Sequence, residues 1–156
     1  YICWAAQAGL YHFYNIPKYP LPKKMFGIFP TIPLKPELPL FRVFDDVFRM
    51  PQSRHTEIRR EDIERVTDLE IIAESEESGV SIVRSRSRRE FFITGHLEYA
   101  PDTLDTEYRR DLGKRDDVEL PKYYYREDNP EKGPLVTWRS HANLLFTNWL
   151  SWVVVG

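Results

Sequence analysis

The run Cys3-Trp4-Ala5-Ala6-Gln7-Ala8-Gly9-Leu10 constrains the fold more than any other stretch. Ala5, Ala6, Ala8 and Gly9 put little side chain on a helix, so that helix can lie close against a sheet. The helical pattern runs from Trp4 to about Tyr14, and Pro17 stops it. Cys3, the only cysteine, stands directly ahead of it. A cysteine at a strand-to-helix turn is a candidate nucleophile, because the partial positive charge of the helix end stabilises a thiolate. The competing explanation is a free cysteine packed as a small apolar group. A nucleophile elbow also needs a buried strand ahead of it. Only Tyr1 and Ile2 stand there. The expectation is therefore a C-terminal part of a larger domain, with its N-terminal half missing.

Composition narrows the classes. At 156 residues the chain can bury one core. Hydrophobic residues at 42% and aromatics at 14% argue for a globular protein and against disorder. A net charge of -2 with mixed signs gives no electrostatic case for nucleic acid or an acidic membrane surface. One cysteine excludes an intrachain disulfide framework and suits a reducing compartment, so a cytoplasmic location is expected. No run reaches the roughly 18 apolar residues that span a bilayer, and no secretory signal is expected.

Along the chain, residues 17–39 are rich in proline and read as an ordered loop with a short strand over 26–29. Leu40 to Met50 alternates enough to predict one or two strands around Asp45-Asp46. Pro51 to Thr56 is polar and reads as a loop, and 60–66 as about one helical turn. Leu69 to Ser75 and Val80 to Arg84 form a hairpin around Glu76-Glu77-Ser78-Gly79. Arg84 to Arg89 is a basic tip, read as a solvated turn in preference to a phosphate-binding patch. Glu90 to Thr94 is apolar through its middle and predicts a buried, central strand. A helix follows from Pro101-Asp102-Thr103 to about Lys114, with Asp105 early and Arg109 and Arg110 late, as the helix dipole prefers. Residues 116–134 read as an irregular loop. Thr137 to about Val155 reads as a long C-terminal helix with an aromatic face. The class is α/β, and 1–156 reads as one unit.

Three residues carry chemistry together. In an open α/β sheet, active sites form at the C-terminal ends of strands. Cys3 and His96, which follows Gly95 at the end of the apolar strand, can meet there. The imidazole takes the thiol proton, and Glu98, on the same face two residues on, orients it. His-x-Glu also resembles a metal pair, but no second His or Cys cluster accompanies it, so no metal site is expected. His12, His55 and His141 have structural explanations.

The segment Cys3-Trp4-Ala5-Ala6-Gln7-Ala8 resembles the nucleophile motif of the homoserine O-acyltransferases, the homoserine O-succinyltransferase family of methionine biosynthesis. Thr94-Gly95-His96-Leu97-Glu98-Tyr99 is similar to its histidine-glutamate motif. Phe44-Asp45-Asp46, the segment Pro51 to Thr56 and the segment Thr137 to Leu150 match further motifs in the same order. The resemblance covers the chain but only the C-terminal half of such enzymes. It implies a flavodoxin-like domain of the class I glutamine amidotransferase type, with Cys3, His96 and Glu98 as catalytic residues. The implied reaction is acyl transfer from succinyl-CoA, or acetyl-CoA, to the hydroxyl of L-homoserine through a cysteine acyl-enzyme. The acyl-CoA is a substrate, so no cofactor is implied. The Trp4 backbone N–H would form half of the oxyanion hole, a donor worth about 2.7–4 kcal/mol. Lys24, Ser53 and Arg110 match the family's substrate-binding positions, with Thr103 and Glu107 on the Arg110 helix face. Arg110 suits the homoserine carboxylate.

Four positions depart from the pattern. Leu97 replaces a proline, Gln52 a histidine, Val43 a glycine, and Arg49 an aromatic or aliphatic residue. Two alternatives stay open: a non-catalytic remnant that needs the N-terminal half, and a glutamine amidotransferase. The aromatic C-terminal helix offers a face for a second copy, so a homodimer is a further expectation.

Overall fold

A computed structural model describes residues 1–156. Five strands form one sheet in the order β2-β1-β3-β4-β5, every neighbouring pair antiparallel. The strands are β1 (Tyr19–Pro33), β2 (Phe48–Glu57), β3 (Leu69–Ser75), β4 (Gly79–Ser85) and β5 (Phe91–Ile93). Four helices accompany them: α1 (Trp4–Tyr14), α2 (Arg60–Glu64), α3 (Thr103–Leu112) and α4 (Arg139–Trp149). The last helix continues as a wider π-helical turn over Leu150–Val155. None of the helices is long and apolar enough to cross a membrane.

A parallel pairing at the start of the chain positions the candidate site residues. Ile2 bridges Ile93 in parallel. The Tyr1 carbonyl accepts from Ile93 N–H at 2.9 Å, and Cys3 N–H donates to the Ile93 carbonyl at 2.7 Å. Residues 1–3 therefore extend the sheet beyond β5. The apolar strand is flanked on both sides, as its composition predicts.

Two apolar clusters lie on the two faces of this sheet. Phe92 packs with Ala6, Leu10, Ile58, Ile63 and Val83 toward α1 and α2. Phe91 and Ile93 face the other way, with Ile28, Met50, Ile82, Tyr124, Trp138 and Leu145. Alternation along β5 thus serves two layers of helix, giving an α/β/α sandwich. The small residues of α1 do what their size suggests. A Cβ added at Gly9 would stand 3.0 Å from Cε1 of Phe92.

Three expectations are corrected. Pro51 to Thr56 is not a loop but the middle of β2, with Pro51, Gln52 and Arg54 buried. Its polar side chains satisfy one another inside the protein, so their polarity did not report exposure. The proline-rich segment is a strand of 15 residues, not four. β1 meets β3 only at Ile32 and Pro33, so most of its length has one ladder partner and tolerates residues without an N–H. Leu40 to Met50 is a 3-10 turn at Pro39–Phe41 and a bend, with strand only from Phe48. Phe41, Phe44 and Phe48 pack ring on ring there, with centroids 5.1–6.2 Å apart. Asn148 of α4 pins the bend by donating to the Leu40 and Arg42 carbonyls at 3.0 and 2.9 Å.

Val43 sits in that bend at φ 68° and is exposed. A β-branched side chain is strained in the left-handed region, whereas glycine is not. Val43→Gly is expected to raise unfolding stability by about 1 kcal/mol, the strain relieved less the added chain entropy. Denaturant titration of the two chains measures this.

Candidate active site

Cys3 lies between the residues paired to β5 and the first turn of α1, at φ 52° and ψ -113°. A non-glycine residue held in this region is strained, and here the strand pairing on one side and the helix on the other fix it. Trp4 is the first residue of α1, so its N–H has no acceptor within the helix. The Cys3 sulfur is half-buried and 4.0 Å from the carbonyl oxygen of Ser53 in β2. Gln7, one turn later, donates to the Thr56 carbonyl at 3.2 Å and accepts from the Thr56 hydroxyl. The first turn of α1 is thereby tied to β2.

His96 follows β5 by two ordered residues. Its N–H donates to the Pro51 carbonyl at 2.8 Å. Gly95 permits that approach, since a Cβ there would lie 2.5 Å from both Met50 Cγ and the Pro51 oxygen. Nδ1 of His96 and Oε1 of Glu98 are 2.7 Å apart. Leu97, between them, is buried in the core and anchors the turn where a proline would otherwise stiffen it. Burial by itself would lower the His96 pKa. Hydrogen bonding and charge from Cys3 and Glu98 outweigh it and push the imidazole up to about 9. At neutral pH the proton therefore sits on His96.

Tyr99 escaped the sequence reading. Its ring stacks on the His96 ring at 4.1 Å and 9°. Burial, and then the charges of Glu107, Cys3 and Glu98, push its phenol up. The aromatic ring thus covers one face of the His96 imidazole.

A second polar cluster gathers Lys24, Ser53, Glu107 and Arg110. The β1–β2 ladder is interrupted between Pro20 and Met25, and Lys24 lies in that stretch. Its ammonium is 2.6 Å from Glu107 and 3.3 Å from Asp111 on α3. Ser53 Oγ donates to the same Glu107 oxygen at 2.6 Å. Arg110 is 3.8 Å from Glu107 and 3.0 Å from Asp111. Burial alone would raise Asp111, but Arg110 and Lys24 hold its carboxyl below the usual range. Lys23, by contrast, is exposed and pairs with Glu119 at the surface. Thr103 is placed one helical turn before Glu107, half-buried, and makes no side-chain hydrogen bond.

The basic tip is a braced turn. Arg84 and Arg86 pair with Glu70 at 2.7 and 3.3 Å, and Arg88 with Glu90 at 3.6 Å. Ser85 Oγ and the Ser87 N–H donate to Asp68. His141 pairs with Asp45 at 3.3 Å and packs on Phe44, far in sequence from the triad. No three His, Cys, Asp or Glu side chains are grouped to hold a metal ion.

The family model described as homoserine O-succinyltransferase matches residues 1–156. A homoserine O-acetyltransferase of Bacteroides thetaiotaomicron is 62% identical over 154 residues, 99% of this chain and 50% of that protein. Those of Phocaeicola vulgatus and Brevibacillus brevis are 63% and 56% identical over the same shares. The chain spans about half the length of these relatives. A glutamine amidotransferase structure from Thermotoga maritima superposes with a TM-score of 0.67 at 16% identity, over 98% of this chain and 61% of that one. A putative GMP synthase subunit from Thermoplasma acidophilum gives 0.53 at 18% identity, over 72% and 59%. These likenesses show a glutamine amidotransferase-like fold.

His96 carries the pH signature of this site. Its folded pKa, about 9, lies above the usual 6.5. Its contribution to stability is therefore complete below pH 6.5 and lost as pH rises through about 9. NMR titration of the imidazole is expected to show a midpoint near 9, and Glu98→Gln a lower one.

Proposed function

The chain belongs to the homoserine O-succinyltransferase family, and from that premise we propose that it carries the cysteine-bearing half of a homoserine O-acyltransferase. The observation that supports this most is the triad geometry. A strained cysteine at the end of a parallel strand pair stands near enough to His96 to raise its pKa by hydrogen bonding and charge, and Nδ1 of that histidine is 2.7 Å from a Glu98 oxygen.

The steps follow from the charges. The Cys3 sulfur attacks the thioester carbonyl of an acyl-CoA. Negative charge moves to the carbonyl oxygen, where the Trp4 N–H is the donor at hand. The C–S bond to coenzyme A breaks, and protonated His96 gives the leaving thiolate its proton. His96 is now neutral and acts as base. It takes the proton of the homoserine hydroxyl, whose oxygen attacks the acyl-cysteine. O-acylhomoserine leaves, and Cys3 returns to its resting state beside protonated His96. Glu98 keeps Nδ1 occupied throughout, so the other ring nitrogen faces the reaction.

The Lys24–Ser53–Glu107–Arg110 cluster supplies both signs needed for a zwitterionic amino acid. Arg110 suits the carboxylate as a planar fork. Glu107 and Ser53 suit the ammonium, and Lys24 holds Glu107 in place meanwhile. Thr103 borders the same helix face. The relatives' names favour an acetyl donor over the succinyl group. In this reading the product feeds methionine biosynthesis. The relatives are about twice as long, which supports slow turnover by these 156 residues on their own.

Intact-mass measurement after incubation with acetyl-CoA, and separately succinyl-CoA, tests the reading. The expected result is a single acetyl adduct, absent in Cys3→Ala and discharged by homoserine. A succinyl adduct would reverse the donor assignment. No adduct with either donor, in a folded chain, would favour a remnant that is inactive without its other half.

A further inference from the structure

Arg54 is the most deeply buried cation in the chain, 6% exposed. Its three hydrogen bonds all go to neutral acceptors. Nε donates to Gln52 Oε1 at 3.0 Å, Nη1 to the Thr56 carbonyl at 2.7 Å, and Nη2 to the Ser78 carbonyl. None of these partners is a carboxylate. A buried charge without a nearby opposite charge is costly. Some anion should therefore complement it.

The surroundings identify that anion. Arg54 follows Ser53, whose carbonyl faces the Cys3 sulfur at 4.0 Å. Its acceptor on Thr56 is the same oxygen that takes Gln7 Nε2 at 3.2 Å. Gln7 N–H in turn donates to the Cys3 carbonyl at 3.1 Å. On its other side, Gln52 donates to Thr94 Oγ1 at 3.4 Å, two residues before His96. One guanidinium thus stands under the first turn of α1 and links it to β2, to the β3–β4 turn and to the segment that carries His96. Burial pushes the Arg54 pKa down, and the charges of Cys3 and then Glu57 push it back up. The Glu57 carboxylate already has a cation of its own, Arg59 at 3.5 Å. Cys3 is the better complement.

We propose that Arg54 is a positioning residue for the nucleophile, a buried positive charge that steadies the sulfur of Cys3 when it carries negative charge. The inference rests on Cys3 being the nucleophile. The three-pronged donor set explains an arginine here: a lysine supplies the charge but not the fork that ties three segments together.

The test needs no substrate. Cys3 is the only cysteine, so its alkylation by a neutral reagent, iodoacetamide, and an anionic one, iodoacetate, can be followed by intact mass. The ratio of the two rates senses a nearby positive charge and not packing. The 156-residue chain is expected to favour iodoacetate relative to the same chain unfolded in urea. Arg54→Met should lower that ratio by about threefold or more. Arg54→Lys should keep it within about twofold while the melting temperature falls. An unchanged ratio in folded Arg54→Met overturns the proposal, as does a ratio lost in Lys24→Gln and kept in Arg54→Met. Should Arg54→Met fail to fold, Arg54→Gln takes its place: a lowered ratio in the folded Gln variant supports the proposal and an unchanged one overturns it, protonated His96 being common to both chains. The acyl-adduct experiment reports on Cys3 separately, so failure here leaves the acyl-transfer reading standing.

Discussion

The hydrogen bond from Cys3 N–H to the Ile93 carbonyl, with the parallel bridge of Ile2 to Ile93, is the contact on which the rest depends. Parallel strands run out at the same end. A residue just past Ile2 and a residue just past Thr94 are therefore delivered to one place. The antiparallel strands that make up the remaining sheet cannot do this for consecutive elements. They do something else: they fix β2 beside β1, so that Ser53 presents its carbonyl to the Cys3 sulfur and its hydroxyl to Glu107.

Strain and polarity concentrate around this contact. Cys3 is held at positive φ by bonds on both sides. Gln7, Gln52, Arg54, Thr56 and Thr94 form a buried polar chain beneath it. Buried polar groups stabilise only when their partners are in place, and a satisfied network fixes a unique arrangement. Here the network joins the helix behind Cys3 to the strand that leads to His96. The apolar clusters on the two sheet faces hold the layers, while the polar chain sets their register at the site.

The parts that could be read in advance share a property: their signal is local. The small residues of α1, the Leu69 to Arg84 hairpin and the apolar β5 each declare themselves through period, size or turn chemistry. Cys3, His96 and Glu98 could be named as candidates in advance because each stands at the end of an element, where a triad would need those residue types. The segment Pro51 to Thr56 misled because a polar strand buried against polar partners has the composition of a loop. The prolines of β1 misled because tolerance for them depends on which edge lacks a partner, and that is a property of the sheet. Tyr99 gave no sign at all: an aromatic three residues after a histidine is ordinary until the turn stacks the two rings.

By itself, the sequence determined which residue types stand at the candidate site, the close-packing helix behind the cysteine and the family to which the chain belongs, because these lie in short contiguous motifs. Tertiary structure alone decided how Lys24, Ser53, Glu107 and Arg110 are paired, that Lys24 is enclosed while Lys23 is solvated, and that Arg54 is buried under the first turn of α1. Those outcomes turn on an interrupted ladder between Pro20 and Met25 and on strand β2 lying against α1. Contacts between residues some fifty to ninety positions apart are set by chain topology, which no local pattern encodes.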